Sequence, residues 1–195
     1  MGSIAPKAVD TTAAQSSSPT PIPTPTSVTA TQSSAWNTAG TMEQRHMGGW
    51  VKDRLVALLG EAKGVVGEVS IPEAGSLRCT TGVEGYGEGC TADILLARGK
   101  TKKVYDLKFA IALELFNASA SPPTTQKVLL QFLDVSNDTA GEPRAVKVEF
   151  EGGGASEEAK GAVKRALGSG GEAAHVLDAV RKVVEDAVAG FMDLV

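Results

Sequence analysis

Tyr105-Asp106-Leu107-Lys108-Phe109-Ala110-Ile111-Ala112-Leu113-Glu114-Leu115 places a large apolar side chain at every second position, with Asp, Lys, Ala or Glu between. Successive side chains of a β-strand point to opposite faces, so this spacing predicts a strand with one buried and one wet face, as in an antiparallel sheet covered on one side. Residues 94–97 should pair with it through a hairpin at 98–101, where Gly99 supplies turn freedom. Two more strands are predicted at 128–135 and 145–150, the second from Val146, Val148 and Phe150 alternating with Lys147 and Glu149. Consecutive strands joined by short turns make a four-stranded antiparallel meander.

Helical spacing flanks this sheet on both sides. Val51, Leu55, Leu58, Leu59 and Ala62 recur at three- and four-residue steps, with Lys52, Asp53 and Arg54 on the other side, predicting an amphipathic helix that stops near Gly60 or Gly64. Val65, Val69 and Ile71 then surround a turn at 72–75, followed by a glycine-dense connection at 82–89. After the glycines at 152–154, Ser156 followed by Glu157 and Glu158 has the form of an N-cap with acids in the first turn, opening a short helix to Leu167. Beyond a break at 168–171, Val176, Val180, Val183, Ala187, Phe191 and Leu194 mark a long final helix whose stripe must cover a surface. The expected class is α+β: N-terminal helix, four-stranded antiparallel meander sheet, long C-terminal helix packed on the sheet.

The chain has 195 residues, of which 42% are hydrophobic, enough for one core. Residues 1–34 are dominated by Ser, Thr, Pro and Ala and carry too little apolar surface to offset the entropy of ordering them, so a disordered tail is expected there and one domain over 35–195. A net charge of −4 provides no global positive field for a nucleic acid. No apolar run approaches a membrane span and no signal peptide opens the chain, so a cytoplasmic location is expected, with Cys79 and Cys90 reduced. The sequons at Asn117 and Asn137 are then chance matches, and Pro6 spoils the myristoylation pattern that Gly2 begins.

Catalytic patterns are absent. Only His46 and His175 could serve Cys79 or Cys90 as a base, and both read as ordinary surface positions. No nucleophile elbow, zinc-protease helix or Cys-x-x-Cys pair occurs, so no catalytic residue, cofactor or metal is expected. Gly85, Gly87 and Gly89 precede a strand, whereas a phosphate loop needs a following helix. Two features remain: a basic run of Arg98, Lys100, Lys102 and Lys103 at the hairpin, and the Trp36-Asn37 pair where tail meets domain.

These features carry a resemblance. The stretch at 34–43, Ser-Ala-Trp-Asn-Thr-Ala-Gly-Thr-Met-Glu, with Trp50 opening a helix that bears Leu55, Leu58 and Leu59, resembles the start of the N-terminal domain in activators of the heat-shock protein 90 ATPase. Ala92-Asp93-Ile94 leading into Arg98-Gly99-Lys100 and Tyr105-Asp106 is similar to the same family, and the likeness extends from about Trp36 to Val195. The family's hairpin run, Arg-Lys-x-Lys, aligns with Ala97, Arg98, Gly99 and Lys100; the first Arg is lost, and Lys102 and Lys103 supply charge nearby. Met42 stands where the family's leading segment has its last aromatic.

The resemblance implies a non-enzymatic cochaperone, monomeric when free, that binds the middle segment of heat-shock protein 90 and stimulates its ATPase. It assigns partner binding to Arg98, Lys100, Lys102 and Lys103 and stimulation to Trp36 and Asn37. Two-domain members continue into a steroid-acute-regulatory-like domain, whereas this chain stops at Val195, as expected of a single-domain member or of a longer member cut to one domain. The alternative is a lipid or small-ligand carrier using a pocket between curved sheet and C-terminal helix; an uncharacterised hydrolase is a distant third.

Overall fold

A computed structural model describes residues 42–87, 90–140, 145–152 and 154–194. The expected tail at 1–34 and the Trp36-Asn37 pair lie outside the described residues. Within them the order is β1 (Met42–His46), α1 (Gly48–Val66), β2 (Glu68–Ile71), β3 (Gly75–Glu84), β4 (Thr91–Ala97), β5 (Lys100–Asn117), β6 (Thr124–Ser136), β7 (Val146–Glu151), α2 (Glu157–Leu167) and α3 (Ala174–Asp193). The α+β class and the long C-terminal helix hold, and β4 to β7 are the predicted antiparallel meander. The sheet is larger than the expected four strands: β1, β2 and β3 join it, making seven.

β5 organises the whole sheet. Along one edge its first residues, Lys100 to Asp106, pair with β4, and its later residues, Ala110 to Phe116, pair with β3. Along the other edge Asp106 to Asn117 pair with β6, which in turn pairs with β7. β1 and β2 close the ends of the β4 and β3 edges. Leu107, Phe109, Ile111, Leu113 and Leu115 are buried on the face that the helices cover, as the alternation requires.

On the outer face Asp106, Lys108 and Glu114 are exposed, yet Ala110 and Ala112 are only 8% and 4% exposed. The cause is a bulge in β3, whose register against β5 slips between Cys79 and Val83. The Thr80 hydroxyl donates to the Ala112 carbonyl at 2.6 Å, and Gly82 lies so close that a Cβ there would stand 3.2 Å from that of Ala112. Lys127 of β6 then bridges Glu84 of β3 and, at 3.0 Å, Glu151 of β7. These carboxylates, Glu84 first, hold the Lys127 ammonium above its ordinary pKa. Small side chains at 110 and 112 are what this curl permits.

The helices follow from their stripes. α1 buries Val51, Leu55, Leu58 and Leu59 but runs through Gly60 and Gly64, six residues past the earlier of the two expected stops, to Val66. Gly67, at φ 66°, ends it in a conformation that favours glycine. Trp50 packs towards α3, where a Cβ on Gly190 would stand 3.3 Å from its ring. α2 begins as predicted: the Ser156 hydroxyl accepts the Ala159 N–H at 3.2 Å, with Glu157 and Glu158 in the first turn and Lys164 and Arg165 in the last. α3 buries Val176, Val180, Val183, Ala187 and Phe191 of the expected stripe, together with Leu177, Val184 and Val188, and its Phe191 ring meets Tyr105 of β5 edge-on at 6.2 Å.

Replacing Leu107 or Ile111 by Ala is expected to cost about 2–5 kcal/mol in urea or thermal unfolding, against under about 1 kcal/mol for Lys108→Ala. Ala112→Leu should also destabilise, by roughly 1–3 kcal/mol, because the bulge fills the space above it. A neutral Ala112→Leu would show that the outer face is open there.

Candidate partner-binding site

The β4–β5 hairpin turns on two residues, Arg98 at φ 50° and Gly99 at φ 73°. Two successive positive φ angles give the turn whose twist matches that of the flanking strands. Gly accepts this geometry freely, and Arg98 accepts it at a cost of about 1–2 kcal/mol. Nothing stands within 4 Å of where a Gly99 Cβ would be, so the tip projects into open space.

The pairing register divides the basic run. Lys100 pairs with Ala97, Lys102 with Leu95, and Lys103 with Ile94. Lys100 and Lys102 therefore share the outer face, and with Arg98 at the tip they make three exposed cations. Lys103 lies one step out of phase, on the helix-covered face with buried Ile94 and Tyr105. Its ammonium donates to the Met192 carbonyl in the last turn of α3, where a cation also favours the helix dipole. Lys103, expected at the partner site, is thus tied to the protein's own helix, and adjacency in sequence concealed this because strand side chains alternate.

Next to Lys102 an open groove of about 700 Å³ runs along the outer face, lined by Lys108, Asp106, Leu133, Asp134 and Asp138 among others. Its charges are mixed, and Arg98 and Lys100, nearer the tip, lie outside it. Asn137 braces the base of the hairpin: its side-chain oxygen accepts the Tyr105 N–H at 2.7 Å, and its own N–H donates to the Tyr105 carbonyl at 3.3 Å. Sequence reasoning missed this residue, although an Asn closing a turn beside a strand is a familiar bracing device.

β1 was also missed, and it flanks the hairpin directly. Met42 pairs with Ala97 and His46 with Asp93, so the chain enters the sheet beside the tip and leaves it at the hairpin base. His46 is the last residue of β1, and its Nδ1 lies 2.6 Å from Asp93 Oδ1. Cys90 exchanges hydrogen bonds with the Lys108 backbone, its sulfur 3.2 Å from N and 3.0 Å from O. Cys79 is buried, which raises its thiol pKa. Both cysteines are free, and the hydrogen bonds of Cys90 and His46 lead to different partners. Among the described residues no group of three or more His, Cys, Asp or Glu side chains could hold a metal ion. None of their helices is long and apolar enough to cross a membrane.

No family model matches the chain, and no curated protein does. Among solved structures, a crystal structure of Aha-1 from Plasmodium falciparum is similar at 12% identity and a TM-score of 0.45, over 77% of this chain and 90% of that one. The likeness is remote, and nothing about the activity of this chain follows from it.

Lys103→Met, which keeps most of the stem but removes the donor, should lower stability by about 0.3–1 kcal/mol and raise hydrogen exchange in the last turn of α3. Lys102→Met should do neither. Equal effects from the two would contradict the division of the basic run.

Proposed function

We propose that this chain is a cochaperone that binds the middle segment of heat-shock protein 90 through Arg98, Lys100 and Lys102 and stimulates its ATPase. The observation that carries the reading is that β1, which directly follows the segment at 34–41, pairs with β4 beside the basic hairpin. The hairpin presents Arg98, Lys100 and Lys102 as exposed cations, and β1 enters the sheet opposite Ala97, next to its tip. Trp36 and Asn37 precede Met42 by six and five residues, a reach of at most about 20 Å. Chain connectivity therefore tethers the segment assigned to stimulation close to the segment assigned to binding.

Exposed cations steer an acidic partner and set the association rate more than the final affinity. A short polar segment bearing one indole is suited to a contact made mainly in the hydrolysing arrangement, since only differential stabilisation lowers a barrier. The carrier reading finds less support, because the space it needs beneath α3 is filled by Val180, Val184, Ala187 and Phe191, each at most 1% exposed.

In a coupled ATPase assay with purified chaperone, the protein is expected to raise turnover. Converting Arg98, Lys100 and Lys102 together to Glu should slow association and weaken affinity at least several-fold, with the wild-type effect fading as salt shortens the screening length to below about 10 Å. Unchanged affinity in a folded triple variant would remove the hairpin from the interface. Deleting residues 34–40 should lower the plateau of stimulation several-fold, about 1 kcal/mol, while the dissociation constant moves by less than about threefold. A plateau recovered at higher concentration would instead make the segment a docking element.

A further inference from the structure

Three strands end the ladders of the sheet, β1, β2 and β7, and a strand at an edge offers unpaired backbone N–H and C=O groups to any other extended chain. Two of the three are protected. β1 carries Glu43 and Arg45 on the helix-covered face, opposite buried Leu96 and Ile94, and inward charge at an edge discourages a further strand. β2 has four residues and ends at the turn that holds Pro72. β7 has none of these devices. It contains no proline or glycine, and it runs beside β6 through six successive pairs, from Lys127–Glu151 to Phe132–Val146, with no bulge. Among the described residues nothing pairs with its other edge.

The side chains of β7 alternate strictly. Val146, Val148 and Phe150 lie opposite Phe132, Leu130 and Val128, which are fully buried on the helix-covered face, yet they are themselves only half-buried at the margin of the sheet. Lys147 and Glu149 stand on the outer face, the Lys147 ammonium 2.5 Å from Glu149 Oε1, and Gln131 Nε2 donates to Glu149 Oε2 at 2.6 Å.

A two-fold axis at Val148 brings this pattern onto itself. Antiparallel pairing about that axis sets Val146 against Phe150 of a second copy, Val148 against its own counterpart, and Lys147 against Glu149 on both sides of the axis. Slipping the register by two residues either way would set Glu149 against Glu149 or Lys147 against Lys147, and like charges directly opposite are destabilising. Slipping it by one would bring the apolar face of one copy against the charged face of the other. One register is left.

We propose that two copies of this chain associate through their β7 edges in that register, as an isologous pair that makes one continuous sheet across the axis. The interface is little more than one strand pair, at the small end of specific contacts, so the dimer is weak, with a dissociation constant on the order of 100 µM. Well below that concentration the chain is a monomer. β6 separates β7 from β5 and the hairpin, and the pairing does not rest on the function proposed above.

The test is sedimentation equilibrium of the full chain over concentrations that span this constant, with two charge reversals on the outer face, Lys147→Glu and Glu149→Lys. The unaltered chain is expected to pass reversibly from one copy to two. Each reversal alone places like charges opposite one another on both sides of the axis and should weaken association about fivefold. An equimolar mixture of the two variants, in which an acidic edge meets a basic one, should regain it. In the unaltered chain, amide hydrogen exchange across Val146 to Glu151 should slow as concentration rises, while exchange across Met42 to His46 should not. A chain that stays monomeric throughout would overturn the proposal and leave the β7 edge to an extended strand of a different protein. Self-association unmoved by either reversal, a mixture no tighter than its components, or slowed exchange at β1 in place of β7 would overturn it equally.

Discussion

Everything in this fold depends on the pairing of β5, an 18-residue strand that hydrogen-bonds β4 and β3 in succession along one edge and β6 along the other. A strand of that length spans roughly 55 Å and must keep its apolar face towards the helices throughout, because a one-residue slip would turn every side chain over. The register does slip, but in the neighbours: β3 bulges between Cys79 and Val83, and the β5–β6 ladder shifts between Leu107 and Phe109. The bulges absorb the curl of the sheet, so that the phase of β5 survives from Tyr105 to Leu115.

The hairpin and the pocket beside the N-terminus of α2 sit at opposite ends of this strand, and each is held by it differently. At the Lys100 end β5 is paired along one edge only, with β4, and is braced by Asn137 and by the Lys103 contact to α3. At the Asn117 end it is enclosed by the β2–β3 turn, the start of β6 and α2. Charge is displayed at the first end, and at the second the Gln126 side chain is buried, its Nε2 donating to the Gly152 carbonyl.

How much of this was legible in the sequence depended on whether a segment's environment imposes a period. β5 has one wet and one dry face, and its alternation announced it; β4, β6 and β7 followed from the same rule. β1, Met-Glu-Gln-Arg-His, is exposed at four of its five positions, so no apolar period marks it. β3 carries its pattern across a bulge that breaks the phase after Cys79, which made the region read as a glycine-rich connection. In α1, Gly60 and Gly64 read as stops, but a glycine inside a helix costs only about 1 kcal/mol, less than the burial of Leu55, Leu58 and Leu59 supplies. At the site, a count of cations along the chain found the hairpin but grouped Lys103 with residues on the opposite face. Gln126 carried no sequence signal at all, since its burial is made by α2, some 30 residues further along.

The exposure of β1 has a dynamic consequence. A strand held on one edge only, with almost no buried side chain, contributes little apolar area to the fold and so opens at a small fraction of the global unfolding free energy. Peeling Met42 to His46 from β4 would release the whole segment upstream of α1 as a longer tether and bare the backbone edge of β4, while the seams of β5 stay closed. The flank of the basic hairpin is therefore a separable layer, with a stability of its own that can be set by substitutions along β1 without touching the core.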